Sequence, residues 1–500
     1  MVDHITRRHF HHFMAAGAAA VVFGPGIEPA MALETATITW TSDDPHLSGN
    51  YAPIGPEIDT ADLPVIAGRI PPNLSGAYMR NGPNPLYKPL AFTYPMDGDG
   101  MIHAVYFDNG RARYRNRFVQ TPSLAGRAPG RPRDLRQLRA PGADRYEAAA
   151  SGRSAGPVQE RRLHQCYSHG GHLLALNEST TSFEITRELD TVGEWKAGTD
   201  KPLRLGAHNR RHPETGALFA IDYSHAEPTV QIHQIDASGN LVNSFPVALA
   251  APTMIHDFVL TERYIVLLVC PAVFDSAAAQ QGQSFLQWRP GMGTRIGLIA
   301  LDGSTTQWLD ADPFFVFHFA NAFERGGNIF IDYVQHESLA LGYAQQTQKA
   351  PTLHRMTIDL VARKVSDAQV AGMVTEFPRV NDALGSLPTR FVYLPTLTET
   401  LRLARPPSAT FNSMMKVNTE TGDVLHHDFG NKIAGEAVFI PRGTIGEDDG
   451  YLAIYAFDQE NETSDLVLLD AAHIDADPVA VIRLPQRVPQ GLHGNWIPKA

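Results

Sequence analysis

The chain has 500 residues, with 42 Lys and Arg against 53 Asp and Glu, so its formal charge is −11. A hydrophobic fraction of 43% supports a sizeable folded core, and a net negative charge without a basic block argues against nucleic-acid binding. Two cysteines against 21 histidines exclude paired CxxC zinc sites, iron–sulfur clusters and disulfide scaffolds, so any metal here would be held by histidines and carboxylates.

The first residues have the pattern of an export signal. Arg7 and Arg8 precede an Ala- and Gly-rich apolar run over residues 14–23, and residues 30–32 (Ala-Met-Ala) suit a signal peptidase. The twin arginine resembles a Tat signal, which exports folded proteins through the Tat machinery. The alternative interpretation of this segment is an N-terminal helix of the folded domain. We expect residues 1–32 to be a Tat-type signal and residues 33–500 a single periplasmic domain without a transmembrane span.

From about residue 60 onward the sequence predicts short β-strands separated by turns. Runs rich in Val, Ile, Tyr and Phe alternate with Gly, Pro, Asn and Asp. We predict strands at residues 217–223, 230–235, 264–269, 296–301, 329–334, 353–360, 413–418, 452–457, 466–469 and 480–484. Such regular strands favour a large, closed all-β fold, and a β-propeller fits the length of the chain. No WD or kelch signature marks a repeat in the sequence.

Three other segments carry predictions of their own. Residues 418–423 contain Asn, Gly and Asp between two predicted strands, which indicates a hairpin turn. Residues 277–288 and 338–346 have helical patterns and are expected as insertions. Residues 126–160 are rich in Arg, Pro and Gly, which predicts a long surface loop.

Four histidines share one context, beside apolar or small residues and close to strand-like runs: His208, His256, His318 and His493. The first two separations approximate one four-stranded blade with its loops, and the third approximates three blades. Each histidine could therefore reach the axis of a propeller from a different blade. Neutral imidazole is a good ligand for a borderline metal. However, a single histidine in an apolar run is more often a hydrogen-bonded core residue, so spacing leaves both interpretations open.

Ordered motifs along the chain resemble the carotenoid cleavage oxygenase family, which also contains retinal-pigment-epithelium isomerases and bacterial lignostilbene dioxygenases. The resemblance covers residues 50–498. Its blocks are RNGPNP at 80–85, DGDGMIH at 97–103, YRNR at 114–117, AH at 207–208, IHDF at 255–258, FH at 317–318 with Asn321 and Glu324, EFPR at 376–379, EAVFIPR at 436–442 and GLHGNW at 491–496. This resemblance implies a seven-bladed β-propeller with a helical and loop cap over a metal centre and an apolar substrate tunnel.

The resemblance also implies the residues of the metal centre. The ligands of one Fe²⁺ per chain would be His208, His256, His318 and His493, and the carboxylates that hold the imidazoles would be Glu178, Glu376 and Glu436. A ligating imidazole donates its second ring N–H to an acceptor, commonly a carboxylate, and one of the four would lack such a partner. If the resemblance is set aside, the sequence suggests that Glu178 is a solvated loop residue. Glu376 and Glu436 would then form ion pairs with Arg379 or Arg442.

The activity implied by the resemblance is that of a non-haem iron dioxygenase. Such an oxidoreductase uses O₂ to cleave one C=C bond of an apolar conjugated substrate into two carbonyl products. Four imidazoles leave one or two positions open on the iron, and we expect no catalytic residue beyond the iron centre. A second interpretation is a non-cleaving or isomerising propeller that binds an apolar ligand around a structural metal. Peripheral membrane contact for substrate uptake is expected from the family.

The substrate is harder to predict. Stilbene-cleaving members use a Tyr and a Lys to bind and deprotonate a ring hydroxyl, but this chain has no Lys between Lys88 and Lys196, and Arg cannot act as a base. We therefore favour a carotenoid or apocarotenoid over a stilbene-type phenylpropanoid, which stays the alternative. Aromatic candidates for the tunnel, each equally consistent with plain core, are Phe92, Tyr94, Phe274, Phe285, Trp288, Phe317 and Phe319.

The two cysteines are Cys166 and Cys270. In an oxidising periplasm they are candidates for a disulfide, although nothing in the sequence places them side by side.

Overall fold

The computed structural model describes residues 41–44, 47–86, 98–125, 163–178, 180–339, 349–401, 410–443 and 446–499. The expected signal over residues 1–32, the expected loop over 126–160 and the tunnel candidates Phe92 and Tyr94 lie outside these ranges. The described residues belong to one compact unit. Among the described residues, no helix is long and apolar enough to cross a membrane.

The secondary structure is dominated by strands, which make up 49% of the structure against 4% helix. In chain order the strands are β1 (Asp59–Thr60), β2 (Val65–Gly68), β3 (Gly76–Pro83), β4 (Gly100–Asp108), β5 (Arg111–Phe118), β6 (Leu163–His169), β7 (His172–Asn177), β8 (Phe183–Ile185), β9 (Thr191–Glu194), β10 (Asn209–Arg211), β11 (Leu218–Tyr223), β12 (Thr229–Ile235), β13 (Leu241–Ala248), β14 (Val259–Leu260), β15 (Tyr264–Val269), β16 (Ala272–Phe274), β17 (Leu286–Trp288), β18 (Thr294–Ala300), β19 (Thr306–Ala311), β20 (Phe319–Arg325), β21 (Asn328–Gln335), β22 (Thr352–Asp359), β23 (Lys364–Ala371), β24 (Phe391–Thr396), β25 (Ser413–Asn418), β26 (Val424–Asp428), β27 (Lys432–Ala434), β28 (Val438–Pro441), β29 (Gly450–Asp458), β30 (Thr463–Asp470), β31 (Ala480–Arg483) and β32 (Gly494–Pro498). The helices are α1 (Pro122–Ala125) and α2 (Ser276–Gln280), and 3₁₀ turns lie at Gly49–Tyr51, Pro290–Met292 and Asp382–Leu384.

Seven antiparallel sheets form the blades of a β-propeller, which confirms the predicted fold class. Blade 1 has the order β32-β3-β4-β5-β1, and blades 2 and 3 are β6–β9 and β10–β13. Blade 4 contains β14, β15, β18 and β19; blades 5 and 6 are β20–β23 and β24–β26. Blade 7 joins β27 and β28 to β29, β30, β31 and β2. The first strands of successive blades contact one another, β10 with β14 and β14 with β20, so they surround the axis.

The ring is closed by strands from both ends of the described chain. The C-terminal β32 pairs with β3, with Ile497 opposite Ala77, and β2 pairs with β31, with Gly68 opposite Ala480. The two blades that meet at the closure therefore each combine early and late strands. Full closure leaves only short sheet edges exposed, which protects an all-β protein from edge-to-edge association.

Burial within each blade changes from the middle to the outside. The middle strand β29 is buried along almost its whole length, because both of its faces pack against neighbouring sheets. The outer strand β13 alternates between partly buried and exposed residues over most of its length, the pattern of a strand with one solvated face. Apolar area between blades thus supplies the stabilisation of the fold, at about 25 cal/mol per Å² removed from water.

The strand predictions are confirmed and the helix predictions only in part. Predicted strands 264–269 and 413–418 coincide with β15 and β25, and the hairpin at 418–423 joins β25 to β26 with Gly422 at φ +80°. The predicted helix over 277–288 is wrong beyond α2, because Gly282 turns the chain at φ +86° and β17 pairs with β16. Most of the predicted helix at 338–346 lies outside the described residues.

The two cysteines do not form a disulfide. Both are free thiols and both are buried. Cys166 lies on β6 in blade 2, whereas Cys270 follows β15 in blade 4. The candidate pairing is therefore wrong, since the two residues belong to different blades.

Candidate metal centre

The four histidines lie together in the propeller. One ring nitrogen from each is within 4.8 Å of the others, and all four side chains are buried. The Nε2 atom of His256 is 3.3 Å from Nε2 of His208 and 3.3 Å from Nε2 of His318. Unprotonated nitrogens this close repel each other unless a proton or a cation lies between them.

Each histidine is positioned by the start of an axial strand. His208, His318 and His493 immediately precede β10, β20 and β32, and His256 lies three residues before β14. These strands belong to blades 3, 5, 1 and 4. Because these strands surround the axis, the histidines that precede them converge on one point.

The three glutamates come from the remaining blades. Glu178 follows β7 of blade 2, Glu376 lies on the connection into blade 6, and Glu436 lies between β27 and β28 of blade 7. All three are buried, with between 4% and 7% of the surface of each residue exposed. Every blade of the propeller thus contributes one histidine or one glutamate to the centre.

Each glutamate holds one of the imidazoles. Nδ1 of His256 donates to Glu178 Oε1 at 2.7 Å, since a carboxylate can only accept. Nδ1 of His318 donates to Glu376 Oε2 at 2.6 Å, and Nδ1 of His493 donates to Glu436 Oε1 at 3.0 Å. These bonds place the proton on Nδ1 and leave each Nε2 with a free lone pair directed at the other rings.

His208 is different. Within the described part of the chain, no carboxylate is hydrogen bonded to its ring. Burial, followed by the neighbouring His493 and His256, holds the pKa of His208 well below 6.5, so this imidazole is neutral and able to bind a metal.

The glutamates accept further hydrogen bonds from an outer set of residues that the sequence did not reveal. Glu178 accepts from the Tyr223 hydroxyl at 2.8 Å. Glu376 accepts from His336 Nε2 at 2.8 Å and from the Phe377 backbone N–H at 2.5 Å. Tyr223 and His336 are distant in sequence from the glutamates that they contact, because these two bonds join different blades.

Arg379 has a different partner from the one that its position suggested. It lies three residues after Glu376, but its guanidinium pairs with Glu436 at 3.3 Å and with Asp382 at 2.8 Å. Glu436 also accepts from the Gly494 backbone N–H at 2.9 Å.

Two of the carboxylates at the centre, Glu376 and Glu436, are ionised. Burial alone would raise the pKa of Glu436, but Arg379 and His493 lower it to about 2. Burial would likewise raise the pKa of Glu376, and His318 and His336 instead bring it below its usual range. Buried charges are normally paired or coordinated to metals. Ionised carboxylates bonded to the ligand imidazoles therefore form a centre that favours a cation.

Two phenylalanines cover the histidines. The Phe317 ring is nearly perpendicular to that of His256 at 5.7 Å between centroids and to that of His336 at 5.1 Å. The Phe377 ring lies 5.1 Å from that of His318. Phe377 was missed in the sequence, although its backbone is unusual for a bulky residue, with φ at +51°.

The other aromatic candidates for the tunnel belong to, or pack against, one hydrophobic core cluster. Phe274 and Phe285 contact each other at 5.4 Å between ring centroids, and Phe274 stacks on Tyr223 at 6.0 Å. Trp288 is half-buried and packs edge-on against Phe315 at 6.5 Å. Phe319 lies in the same cluster and packs near Tyr333 at 6.2 Å.

A cavity of about 300 Å³ reaches three of the four histidines. Its polar lining includes Arg210, Asp257, Asn321, Arg379, Glu436 and Asn495, and Phe319 also faces it. The centre is thus bordered by aromatic rings and by a polar cavity that is large enough for several water molecules.

Comparisons with known proteins agree with this geometry. A family model described as retinal pigment epithelial membrane protein matches residues 51–498. A carotenoid cleavage oxygenase from Mycobacterium tuberculosis is 32% identical, over 91% of this chain and 98% of that protein. The crystal structure of Pseudomonas brassicacearum lignostilbene dioxygenase is similar with a TM-score of 0.79 and 27% identity, covering 91% of this chain and 99% of that one. A variant of Synechocystis apocarotenoid oxygenase has a TM-score of 0.77 and 26% identity, with coverage of 92% and 99%.

Proposed function

This chain belongs to the family of the retinal pigment epithelial membrane protein and the carotenoid cleavage oxygenases, and we propose that it is an iron-dependent dioxygenase acting on a carotenoid or apocarotenoid. It would cleave one C=C bond and release two carbonyl products. The observation that carries this proposal is the convergence of four buried imidazoles, three of them bonded to buried carboxylates.

The proposed metal is one Fe²⁺ per chain, with His208, His256, His318 and His493 as its ligands. The donor set fits, because borderline divalent metals bind imidazole well and four neutral ligands leave the full dipositive charge to be offset by nearby carboxylates. When bound, iron would supply the activation of O₂ that alkene scission requires.

The protein's own side chains would orient ligands and exclude water. Glu178, Glu376 and Glu436 fix the imidazole tautomers, so that Nε2 rather than Nδ1 faces the metal. Phe317 and Phe377 cover the imidazoles with apolar surface. Alkene cleavage needs no proton abstraction, so no general base is proposed.

A polyene is the favoured substrate because it is electron-rich without activation by the protein. The segment between Lys88 and Lys196 offers no lysine to deprotonate a ring hydroxyl. The buried rings of Phe274, Phe285 and Phe317 would supply apolar contact area to the proposed tunnel, and delivery of such a substrate would fit peripheral membrane contact. A stilbene-type phenylpropanoid stays the second candidate, favoured by the likeness to the lignostilbene dioxygenase.

Product analysis tests the proposal. The protein is loaded anaerobically with Fe²⁺ and exposed to ¹⁸O₂ with carotenoids, apocarotenals and 4-hydroxystilbenes, and products are identified by mass spectrometry. Labelled aldehydes or ketones from a polyene support the proposal. Cleavage of hydroxystilbenes alone supports the second candidate. Full iron loading without turnover of any of these substrates contradicts the oxygenase activity and favours a ligand-binding propeller.

We further propose that residues 1–32 direct export to the periplasm by the Tat route, on the basis of Arg7 and Arg8. An Arg7→Lys, Arg8→Lys double variant is expected to accumulate in the cytoplasm when cells are fractionated. Unchanged export of this variant would rule out the Tat route.

A further inference from the structure

Among the described residues, no carboxylate orients the ring of His208 as one does for each of the other three imidazoles. A buried ion pair lies beside it: Arg210 donates from Nη2 to Asp257 Oδ2 at 2.6 Å, and the Asp257 side chain is 1% exposed. We propose that Arg210 and Asp257 are positioning residues that hold His208 in place of the missing carboxylate. This inference rests on the proposed metal centre and adds two residues to it.

The contacts of Asp257 connect three ligand segments. Asp257 follows His256 directly, and its Oδ2 also accepts from the backbone N–H of Phe319 at 3.1 Å, the residue after His318. Its other oxygen, Oδ1, accepts from the backbone N–H of Phe258 at 2.7 Å. One carboxylate therefore fixes the chain beside His256 and His318.

The same carboxylate reaches the third segment through Arg210. Arg210 lies two residues after His208 on β10 and also donates from Nε to the Phe258 carbonyl at 2.8 Å. A guanidinium that binds two acceptors at once fixes both the distance and the angle between them. Blades 3, 4 and 5 are thus joined directly beside their histidines. The segment of His493 is held separately, by Arg379 Nη1 on the Gly494 carbonyl at 3.0 Å.

A second buried ion pair offers a matched control. Asp332 and Arg355 form two hydrogen bonds of 2.7 Å between neighbouring strands β21 and β22. Asp332 is completely buried and Arg355 is 12% exposed, so the pair resembles Arg210 and Asp257 in charge and burial. It joins two strands within one blade, whereas Arg210 and Asp257 join blades. Loss of either pair should destabilise the fold, but only loss of Arg210 and Asp257 should alter the geometry of a bound metal.

The experiment compares Co²⁺ binding to the whole chain and to the variants Asp257→Asn, Arg210→Gln and Asp332→Asn. Dissociation constants come from competition with a chelator, and ligand geometry comes from the visible absorption of bound Co²⁺. We expect Asp257→Asn and Arg210→Gln to weaken binding by about 10- to 100-fold and to shift the absorption bands. The Asp332→Asn variant should melt at a lower temperature with its Co²⁺ affinity unchanged within about twofold.

Arg210→Gln keeps the test open if Asp257→Asn does not fold, because the Arg210 side chain is 24% exposed and a glutamine amide can still donate to Asp257. Arg210→Lys keeps the charge and should restore part of the affinity. Wild-type affinity and an unchanged spectrum in Arg210→Gln would overturn the positioning role while leaving the proposed metal centre intact. Failure of the wild-type protein to bind Co²⁺ would instead contradict the metal centre itself and the positioning role with it.

Discussion

Buried carboxylates occur both at the axis of this propeller and inside its blades, but their partners differ. In blade 5, Asp332 is bonded to the Arg355 guanidinium, and in blade 7, Asp465 contacts Arg483 and Lys432. Among the described residues, Glu376 at the axis accepts only from imidazoles and a backbone N–H, whereas Glu436 also pairs with Arg379. The blade carboxylates are neutralised by fixed cations, which suits a structural role. Glu376 keeps a negative charge beside the imidazole nitrogens, which suits a bound dication.

The largest expected effect is loss of the metal when one axial histidine is removed. His256→Ala deletes a central ligand, so iron content measured by mass spectrometry and alkene cleavage should disappear together. The control is His354→Ala, because His354 also donates to a carboxylate, Asp367 at 2.7 Å, but lies in blade 5. That variant should keep one iron per chain. Stoichiometric iron in His256→Ala would refute its assignment as a ligand.

Breaking an ion pair inside a blade should strongly lower the free energy of unfolding but leave metal binding unchanged. Asp332→Ala leaves the buried Arg355 guanidinium without its carboxylate, and loss of one partner of a buried pair costs about 3–5 kcal/mol of unfolding free energy. Denaturant unfolding measures that loss, and metal affinity should stay the same. A metal affinity that falls in parallel with stability would show that the axis and the blades are not independent.

An intermediate effect is expected for Glu376→Gln. A glutamine can still accept from one imidazole but carries no charge, so metal affinity should fall about 10- to 100-fold, which corresponds to about 1.4–2.8 kcal/mol. Chelator competition measures the change. Asp367→Asn, which alters the carboxylate partner of His354, should bind metal like the wild type. Equal affinities in the two variants would remove the distinction between axial and blade carboxylates.

The smallest effect is expected at Phe317. Phe317→Leu conserves the apolar character of the side chain and changes its shape. We expect a loss of about 1 kcal/mol of transition-state stabilisation, which lowers kcat/KM for a polyene about fivefold. The iron content should be unchanged. Phe323→Leu is the control, since Phe323 is fully buried against Phe330 at 5.3 Å within blade 5. A kcat/KM that falls equally in both variants would indicate a general packing defect rather than a role in substrate contact.

The sequence predicted local structure better than contacts between blades. Strands β15 and β25 were located to the residue, because alternation and turn residues are local signals. The sequence predicted helix where β17 lies. This strand forms only because the segment between β16 and β17 reverses direction and lets the two strands pair.

At the candidate site, the family motifs named the four histidines and three glutamates that the structure brings together. Their spacing alone did not distinguish them from core histidines. Tyr223, His336 and the contacts of Asp257 were missed, because each bond joins residues from different blades. Such contacts follow from blade order and closure, which no local pattern records.

X-ray absorption at the iron edge, on protein loaded with one equivalent of Fe²⁺ under argon, would identify the ligands of the metal. We predict one tightly bound iron per chain, with four imidazole nitrogens as its protein ligands and only light atoms in the remaining positions. Carboxylate-dominated coordination, sulfur in the inner coordination sphere, or an unchanged spectrum in His256→Ala would contradict this prediction.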